Sequence, residues 1–361
     1  MDPIRLDVKT RTGSYPVWIA AGLTGRLAPL IQESGVTGRR FLVSSPGIWR
    51  LHGSAIARAL PGTEVVLVPD GERAKQLPTV SRIYEALIRA EADRASAVIA
   101  FGGGVIGDMA GFAAATYLRG VQLVQLPSTL LAQVDSAIGG KVGVNHALGK
   151  NLIGAFYPPR LVAIDPLLLA TLPRREFRAG LYEVVKYGVI ASADLFDRIG
   201  RETPAIFNRE PDALIPLIAD SCRIKADVVG QDEHESGLRR VLNFGHTAGH
   251  ALEAATKYRR FRHGEAVAYG MLAAAHLAVA RGAMPEADRG RLAALIGQLG
   301  PMPSVADIRV PDLLQAIRRD KKVVNGRLHF VLPLAIGRTA VVDDVTEKEL
   351  SAALTAIGCA G

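Results

Sequence analysis

Short apolar runs alternate with helical spacing over the first half of the chain, and helical spacing dominates the second. Ile4, Leu6 and Val8, then Val17 and Ile19, alternate with polar neighbours, with Gly13 between the two sets. This period of two around a glycine predicts two antiparallel strands at a sheet edge. Leu23–Glu33 is spaced as a helix. The predicted strands Arg40–Ser44, Glu64–Val68 and Ala97–Phe101 are each followed by a helical stretch, namely Trp49–Leu60, Thr79–Glu91 and the Ala/Gly-rich segment to Tyr117. Val121–Leu126 and Leu161–Asp165, the latter stopped by Pro166, read as further buried strands. Strands that alternate with helices predict a parallel, doubly wound sheet.

After about residue 172 the strand-like runs largely stop. Helical spacing marks Arg178–Ile190, Asp212–Val229, Gly245–Thr256, Glu265–Arg281, Glu286–Leu299 and Val310–Arg319. A small hairpin is predicted from Leu328–Leu332 and Thr339–Val342, and a closing helix from Glu347–Ile357. The expectation is an α/β N-terminal domain with a parallel Rossmann-like sheet over 1–172, then an all-α C-terminal domain over 173–361. A cleft between two such halves is a preferred place for a ligand.

Composition narrows the class. The 361 residues are 49% hydrophobic and 22% charged, as in a folded globular chain. No apolar run reaches the roughly 18 residues of a membrane span, and MDPIRLDVKT has no signal-peptide core. Cys222 and Cys359 are far apart and form no C-x-x-C, which argues against a disulfide framework or a thiolate zinc site and for a cytoplasmic location. The formal charge of +8 comes without basic blocks interleaved with aromatics, so it points to an anionic small molecule before a nucleic acid.

Candidate chemistry falls in two places. Gly102-Gly103-Gly104 ends a predicted strand and leads through Val105-Ile106 to Gly107-Asp108. Glycines there let backbone amides approach a phosphate at a helix N-terminus, but they equally suit a tightly packed turn. The acidic residue that a dinucleotide fingerprint carries about 20 positions on is absent. Ser128, Thr129, Asp135, Lys141, Lys150 and Asn151 follow the next strand, where open α/β sheets bind ligands. In the helical half, Glu183 and Lys186 share a helix face amid apolar residues, His246 and His250 share another, and His263 opens the next helix. Imidazoles with one carboxylate and no thiolate suit a divalent metal, zinc first, and spacing alone pairs His246 with His250.

The motifs GGGVIGDMAGFAAATYLRG, LPSTLLAQVDSAIGGKVGVNHALGKNLIGAF, LYEVVKYG, DEHESGLRRVLNFGHTAGHALE, HGEAVAYGM and RDKK together closely resemble the 3-dehydroquinate synthases of the sugar phosphate cyclase superfamily. The resemblance runs through nearly the whole chain in order. It implies a shikimate-pathway lyase that converts 3-deoxy-D-arabino-heptulosonate 7-phosphate to 3-dehydroquinate and phosphate. The steps would be transient oxidation by NAD, phosphate elimination, reduction, ring opening and aldol closure. It also implies a divalent metal (Zn2+ or Co2+) and a homodimer in which Arg119 reaches across the interface.

By the same resemblance the metal ligands are Glu183, His246 and His263, with His250 moved to the substrate. NAD contacts fall on Asp70, Glu72, Lys75, Gly103, Gly104, Val105, Gly107, Asp108, Ser128, Thr129, Lys141, Lys150, Thr171 and Leu172. Substrate contacts fall on Arg119, Asp135, Lys141, Asn151, Lys186, Lys225, Glu235, Arg239, Asn243 and His250, with Lys321 or Lys322. Ser44-Ser45-Pro46 stands where the family carries Asp or Asn, Ser128 replaces a more usual Thr, and Ala248 a bulkier apolar residue. The arginines and lysines suit a carboxylate and a phosphate monoester. The open alternatives are a sibling cyclase (amino-dehydroquinate, 2-epi-5-epi-valiolone or 2-deoxy-scyllo-inosose synthase), a metal-dependent polyol dehydrogenase, and a non-catalytic nucleotide-binding protein.

Overall fold

The computed structural model describes residues 2–11, 13–235, 237–318, 323–324 and 327–361; residues 323, 324, 327 and 328 are described by backbone alone. Lys321 and Lys322 lie outside the described residues.

The strands of the first half are β1 (Ile4–Thr10), β2 (Gly13–Ile19), β3 (Arg40–Ser44), β4 (Glu64–Leu67), β5 (Ala97–Gly102), β6 (Gln122–Pro127), β7 (Lys141–His146), β8 (Gly149–Phe156) and β9 (Leu161–Ile164). All but β7 and β8 join one seven-stranded sheet in the order β1-β2-β9-β6-β5-β3-β4. Only β1 and β2 pair antiparallel, with Leu6 opposite Val17 at the edge; the other neighbours run parallel. The inner strands β5 and β9 are buried and apolar throughout because both faces are covered there. Val98 and Ala100 of β5 join Phe41, Val43, Ile83 and Met109 on one face. Ala97, Ile99 and Phe101 join Leu27, Leu42, Ile56 and Leu126 on the other.

The interleaved helices are α1 (Leu27–Glu33), α2 (Pro46–Ala59), α3 (Leu77–Arg89) and α4 (Gly104–Thr116). In α2, Ser45 is the N-cap, accepting from the Ile48 amide at 3.4 Å. The remaining helices are α5 (Arg174–Ala191), α6 (Ala193–Phe207), α7 (Pro211–Gln231), α8 (His246–Ala255), α9 (His263–Ala280), α10 (Glu286–Leu299), α11 (Val310–Arg318) and α12 (Glu347–Ala356). After α11 come β10 (Val323–Val324), β11 (Arg327–Leu328), β12 (Phe330–Ala335) and β13 (Arg338–Val342), where β12 and β13 form the expected small hairpin.

Two compact units result: Met1–Pro173 with Arg209–His234, and Arg174–Asn208 with Glu235–Gly361. The sequence reading placed all of 173–361 in the second domain. In the structure α7 packs with the first unit, against β1 and the helical turn Ala132–Ser136. Cys222 of α7 donates its Sγ proton to the Gln133 carbonyl at 3.4 Å, and burial pushes its thiol up to about 12. Cys359, buried in the second unit, is pushed up to about 11 for the same reason.

Besides the short β10–β11 pair, two elements of the structure had no counterpart in the sequence reading. One is helix α6. The other is the β7–β8 hairpin, which covers α4 where Gly111 leaves room: a Cβ there would meet Val142 Cγ1 at 2.4 Å. In the second unit, α5, α8 and α9 meet at glycines. A Cβ on Gly264 would come within 1.8 Å of the Ala179 carbonyl oxygen, and one on Gly270 within 1.8 Å of the Gly245 oxygen. Gly245, at φ 77°, is the left-handed residue that starts α8. These close crossings bring three polar side chains together in an otherwise apolar bundle.

Candidate functional site

Glu183 lies in the middle of α5 with a fully buried side chain. Lys186, one turn on and 2% exposed, sits with Nζ 2.5 Å from Glu183 Oε2. The ammonium is close but outside hydrogen-bond geometry: both carboxylate oxygens are buried and accept no hydrogen bond. Such an orphaned carboxylate costs free energy unless something else meets it. What faces it is imidazole. His246 Nε2 and His263 Nε2 each lie 3.7 Å from Glu183 Oε1.

Both rings present the same nitrogen because the other is engaged. His246 Nδ1 is 3.1 Å from the Phe244 carbonyl oxygen. His263 Nδ1 is 3.5 Å from Glu253 Oε2. One ligand atom each from Glu183, His246 and His263 falls within 4.8 Å of the others, the span of a single divalent ion's ligands. Two imidazole nitrogens, one carboxylate oxygen and no sulfur fit zinc or a similar ion with positions left open. Spacing alone paired His246 with His250. In the structure the rings that converge on Glu183 are those of His246 and His263, because α9 packs against α8 at Gly249 and against α5 at Gly264.

His250 stands next to this group, its ring centroid 5.5 Å from His246 and 5.9 Å from His263. Asn243 Nδ2 donates to Glu235 Oε1 at 2.5 Å, and Glu235 holds a left-handed φ of 61°. Backbone strain of this kind clusters at binding sites. Arg239, on the turn Leu238–Asn243, is 2% exposed, so the second unit buries a guanidinium as well as the Lys186 ammonium.

Glu265, two residues after His263, anchors the start of α9. It accepts from Arg175 Nε at 2.8 Å, from a second Arg175 nitrogen at 2.7 Å and from the Arg262 amide at 2.8 Å. Burial pushes its carboxyl up, but these hydrogen bonds and the nearby charges outweigh it and hold the group below its usual 4.5.

Glu253, buried beside His263, escaped the sequence reading. It sits at i+7 from His246 and i+3 from His250, hence on the same helix face. That periodicity was the available signal.

The first unit gathers the other candidates at the ends of its parallel strands. β5 and β6 finish together, with Gly102 opposite Pro127, and the Ser128 amide donates to the Gly102 carbonyl at 2.8 Å. Gly103 is the N-cap of α4 and offers no side-chain cap, so the first-turn amides of Gly104 and Val105 are left for solvent or an anion. The glycines also have steric causes. A Cβ on Gly103 would meet Thr129 Cγ2 at 3.1 Å, on Gly104 Ser136 Oγ at 2.8 Å, and on Gly107 Gln125 Oε1 at 3.0 Å. Close packing and first-turn amides without a side-chain cap therefore coexist in one turn.

Behind this turn Lys75, 4% exposed, pairs with Asp108 of α4 and donates to Asn151 Oδ1 at 2.5 Å. Burial pushes the Asp108 carboxyl up while Lys75 pulls it down, and burial wins. Asn151, at φ 52°, donates its amide to Asn145 Oδ1 at 2.9 Å, and Asn145 donates to Glu72 Oε1 at 2.8 Å. Lys150 Nζ is 3.5 Å from that same Glu72 oxygen. Asp70 accepts from the Gly71 amide in the turn that precedes them.

The β7–β8 hairpin, with Lys141 exposed at its start, is thus tied to the 70–75 turn and to α4. Lys225 Nζ pairs with Asp135 Oδ1 at 2.8 Å. Thr171 Oγ1 lies 2.8 Å from His52 Nε2, and Leu172 follows it at the end of a turn. Arg119 lies on an exposed turn in which Leu118, Arg119 and Gly120 have φ of 49°, 65° and 126°.

Comparison with known proteins agrees with this geometry. Residues 65–179 match the family described as 3-dehydroquinate synthase N-terminal, and residues 180–323 match 3-dehydroquinate synthase C-terminal. The chain is 45% identical over 342 residues to the 3-dehydroquinate synthase of Solibacter usitatus, covering 94% of this chain and 95% of that one. It is 49% identical over 340 residues to that of Gloeobacter violaceus, covering 93% and 94%. Among solved structures, 2-epi-5-epi-valiolone synthase from Streptomyces hygroscopicus with NAD+ and Zn2+ bound superposes with a TM-score of 0.87 at 32% identity, over 95% of this chain and 96% of the other. With both halves of its sequence matched and its relatives aligned almost end to end, the chain belongs to the 3-dehydroquinate synthase family.

Proposed function

We propose that this protein converts 3-deoxy-D-arabino-heptulosonate 7-phosphate to 3-dehydroquinate and phosphate, with NAD and a divalent metal as cofactors. The observation that carries the reading is Glu183: a buried carboxylate without a hydrogen bond, faced by two imidazole Nε2 atoms at 3.7 Å, in a chain of this family. When bound, NAD supplies a reversible hydride acceptor and the metal supplies Lewis acidity to the alcohol being oxidised.

The chain's own residues bind and orient. Glu183, His246 and His263 hold the metal. The amides at the start of α4, with Asp70, Glu72, Lys75, Gly103, Gly107, Asp108, Ser128, Thr129, Lys141, Lys150, Thr171 and Leu172, hold the dinucleotide. Lys186, Arg239, Lys225, Asn243 and His250 grip the substrate's oxygens, the cations matching its phosphate and carboxylate. Glu235 holds the Asn243 amide by the 2.5 Å hydrogen bond, fixing which way its carbonyl oxygen points. Asp135 plays the same part for Lys225. A multistep reaction in one pocket gains most from such fixed orientation.

The test is phosphate release by purified, zinc-loaded protein with catalytic NAD, while absorbance at 340 nm is followed. Stoichiometric phosphate without net NADH, abolished by a chelator, is the expected result; net NADH accumulation would refute it. The second reading, a sibling cyclase, is favoured by the 0.87 TM-score to the valiolone synthase. It predicts consumption of sedoheptulose 7-phosphate. The 45% and 49% identities to 3-dehydroquinate synthases, against 32% to that sibling, place it second.

The homodimer belongs to the same proposal. The exposed left-handed turn at Leu118–Gly120, which carries Arg119, supports it as backbone strain of the sort retained at contact sites. A cytoplasmic location is supported by two buried, free cysteines.

A further inference from the structure

We infer that Glu253 is a positioning residue for the metal centre: its carboxylate accepts from the Nδ1–H of His263 and so leaves the Nε2 lone pair for the ion. The inference rests on the metal reading above and assigns a role outside the three ligands. The His263 ring is bracketed, with Nδ1 3.5 Å from Glu253 Oε2 and Nε2 3.7 Å from Glu183 Oε1. At 3.5 Å the first contact is an ion-pair distance just beyond a closed hydrogen bond. His246 is arranged in parallel, with a backbone carbonyl at its Nδ1 and Glu183 at its Nε2. Two rings that offer the same nitrogen to one ion need the same tautomer, and each has an acceptor on its far side to enforce it.

Glu253 is 5% exposed, so its charge is not there for solubility. Its backbone is also fixed. α8 and α9 cross at Gly249, where a Cβ would stand 3.0 Å from the Ala266 carbonyl oxygen, so the carboxylate cannot swing away from His263 with its helix.

A competing arrangement exists, because His250, Glu253 and His263 also fall within 4.8 Å of one another. One imidazole gives one nitrogen to one ion. Of the two carboxylates, Glu183 is the one whose buried oxygens accept no hydrogen bond. The ion therefore goes to Glu183, and Glu253 serves the back of the ring.

Three proteins decide the matter: wild type, Glu253→Met, which keeps volume without an acceptor, and Glu253→Gln, which keeps an acceptor oxygen. Nitrogen-15 NMR of histidine-labelled, metal-free protein reads the tautomer, which a merely structural role would not set. His263 is expected as the Nδ1–H form in wild type, shifted towards Nε2–H in Glu253→Met and largely restored in Glu253→Gln. Zinc affinity, measured by competition with a chromophoric chelator, should fall about 10–100-fold in Glu253→Met and recover in Glu253→Gln. The visible spectrum of the cobalt-loaded protein should keep its shape in all three.

An unchanged tautomer with unchanged zinc affinity in Glu253→Met overturns the inference. So does an altered cobalt spectrum in Glu253→Gln, which would make Glu253 a ligand. If wild type takes up no divalent ion, the metal reading falls, and the tautomer measurement alone then decides what Glu253 does to His263.

Discussion

Gly264 lies against Ala179 so closely that a Cβ would stand 1.8 Å from the alanine's carbonyl oxygen. Ala179 is one turn before Glu183 on α5, and Gly264 directly follows His263 on α9. The distance between a carboxylate and an imidazole is thus set by a backbone contact that only glycine permits. Gly264→Ala must push the two helices apart. It should cost about 1–3 kcal/mol or more as an overpacked contact and weaken zinc binding. Urea unfolding of chelated protein and a zinc titration measure both; full stability with full affinity would show that the crossing does not set the centre.

Removing the carboxylate separates metal binding from folding. Glu183→Gln should abolish zinc uptake at concentrations that saturate wild type. It also strips the buried Lys186 of its counter-charge, at about 3–5 kcal/mol for breaking a buried pair. Wild type should gain about 2.7 kcal/mol at zinc 100-fold above its dissociation constant and lose that gain on chelation. The variant should show no zinc-dependent shift in unfolding midpoint; a shift equal to wild type's would exclude Glu183 as a ligand.

The Glu265 anchor predicts an acid limb. Its folded-state carboxyl lies below the ordinary 4.5, so its stabilising contribution is present above that value and is lost as pH falls through the folded one. Arg175→Ala removes the leading hydrogen-bond donor. The variant should be less stable than wild type at pH 7, and the gap should narrow as pH drops below about 4.5. Urea midpoints across that range test it, and a gap that widens towards acid would contradict the sign.

In the first unit, Lys75 and Asp108 form one device. Lys75→Met and Asp108→Asn should each destabilise, and the double variant should lose less than the sum, with a coupling of about 0.5–3 kcal/mol. Lys75→Met should also weaken NAD binding while zinc affinity stays at the wild-type level. Additive losses would show that the short contact between them carries no energy.

Much of the architecture could be read from periodicity. β5 and β9 are continuous apolar runs because both sheet faces are covered there, and β5 ends cleanly at Gly102, opposite Pro127 of β6. The β7–β8 hairpin hid because its strands use glycine where strands seldom do. A Cβ on Gly154 would stand 2.4 Å from the Val142 carbonyl oxygen, and one on Gly143 2.6 Å from the Ile153 oxygen, so those glycines mark strand contact and not a loop. Helix α7 was recognisable as a helix, but its spacing could not say which core its apolar face enters. Lys225 beside Asp135 and Cys222 beside Gln133 answer that only in three dimensions. Around His263 the limit was different. Its contacts with Glu183 and Glu253 join residues 80 and 10 positions away, and only the second partner left a trace in helical phase.

The two buried cysteines have a practical consequence. With thiols held at about 12 and about 11, neither presents thiolate at neutral pH, so a maleimide or aromatic disulfide can react only after the surrounding structure opens. Cys222 belongs to one compact unit and Cys359 to the other. Labelling rates resolved by peptide mass would clock the opening of each unit independently, with no engineered probe. Zinc titrations could also be run without thiol reductants, which compete for the metal.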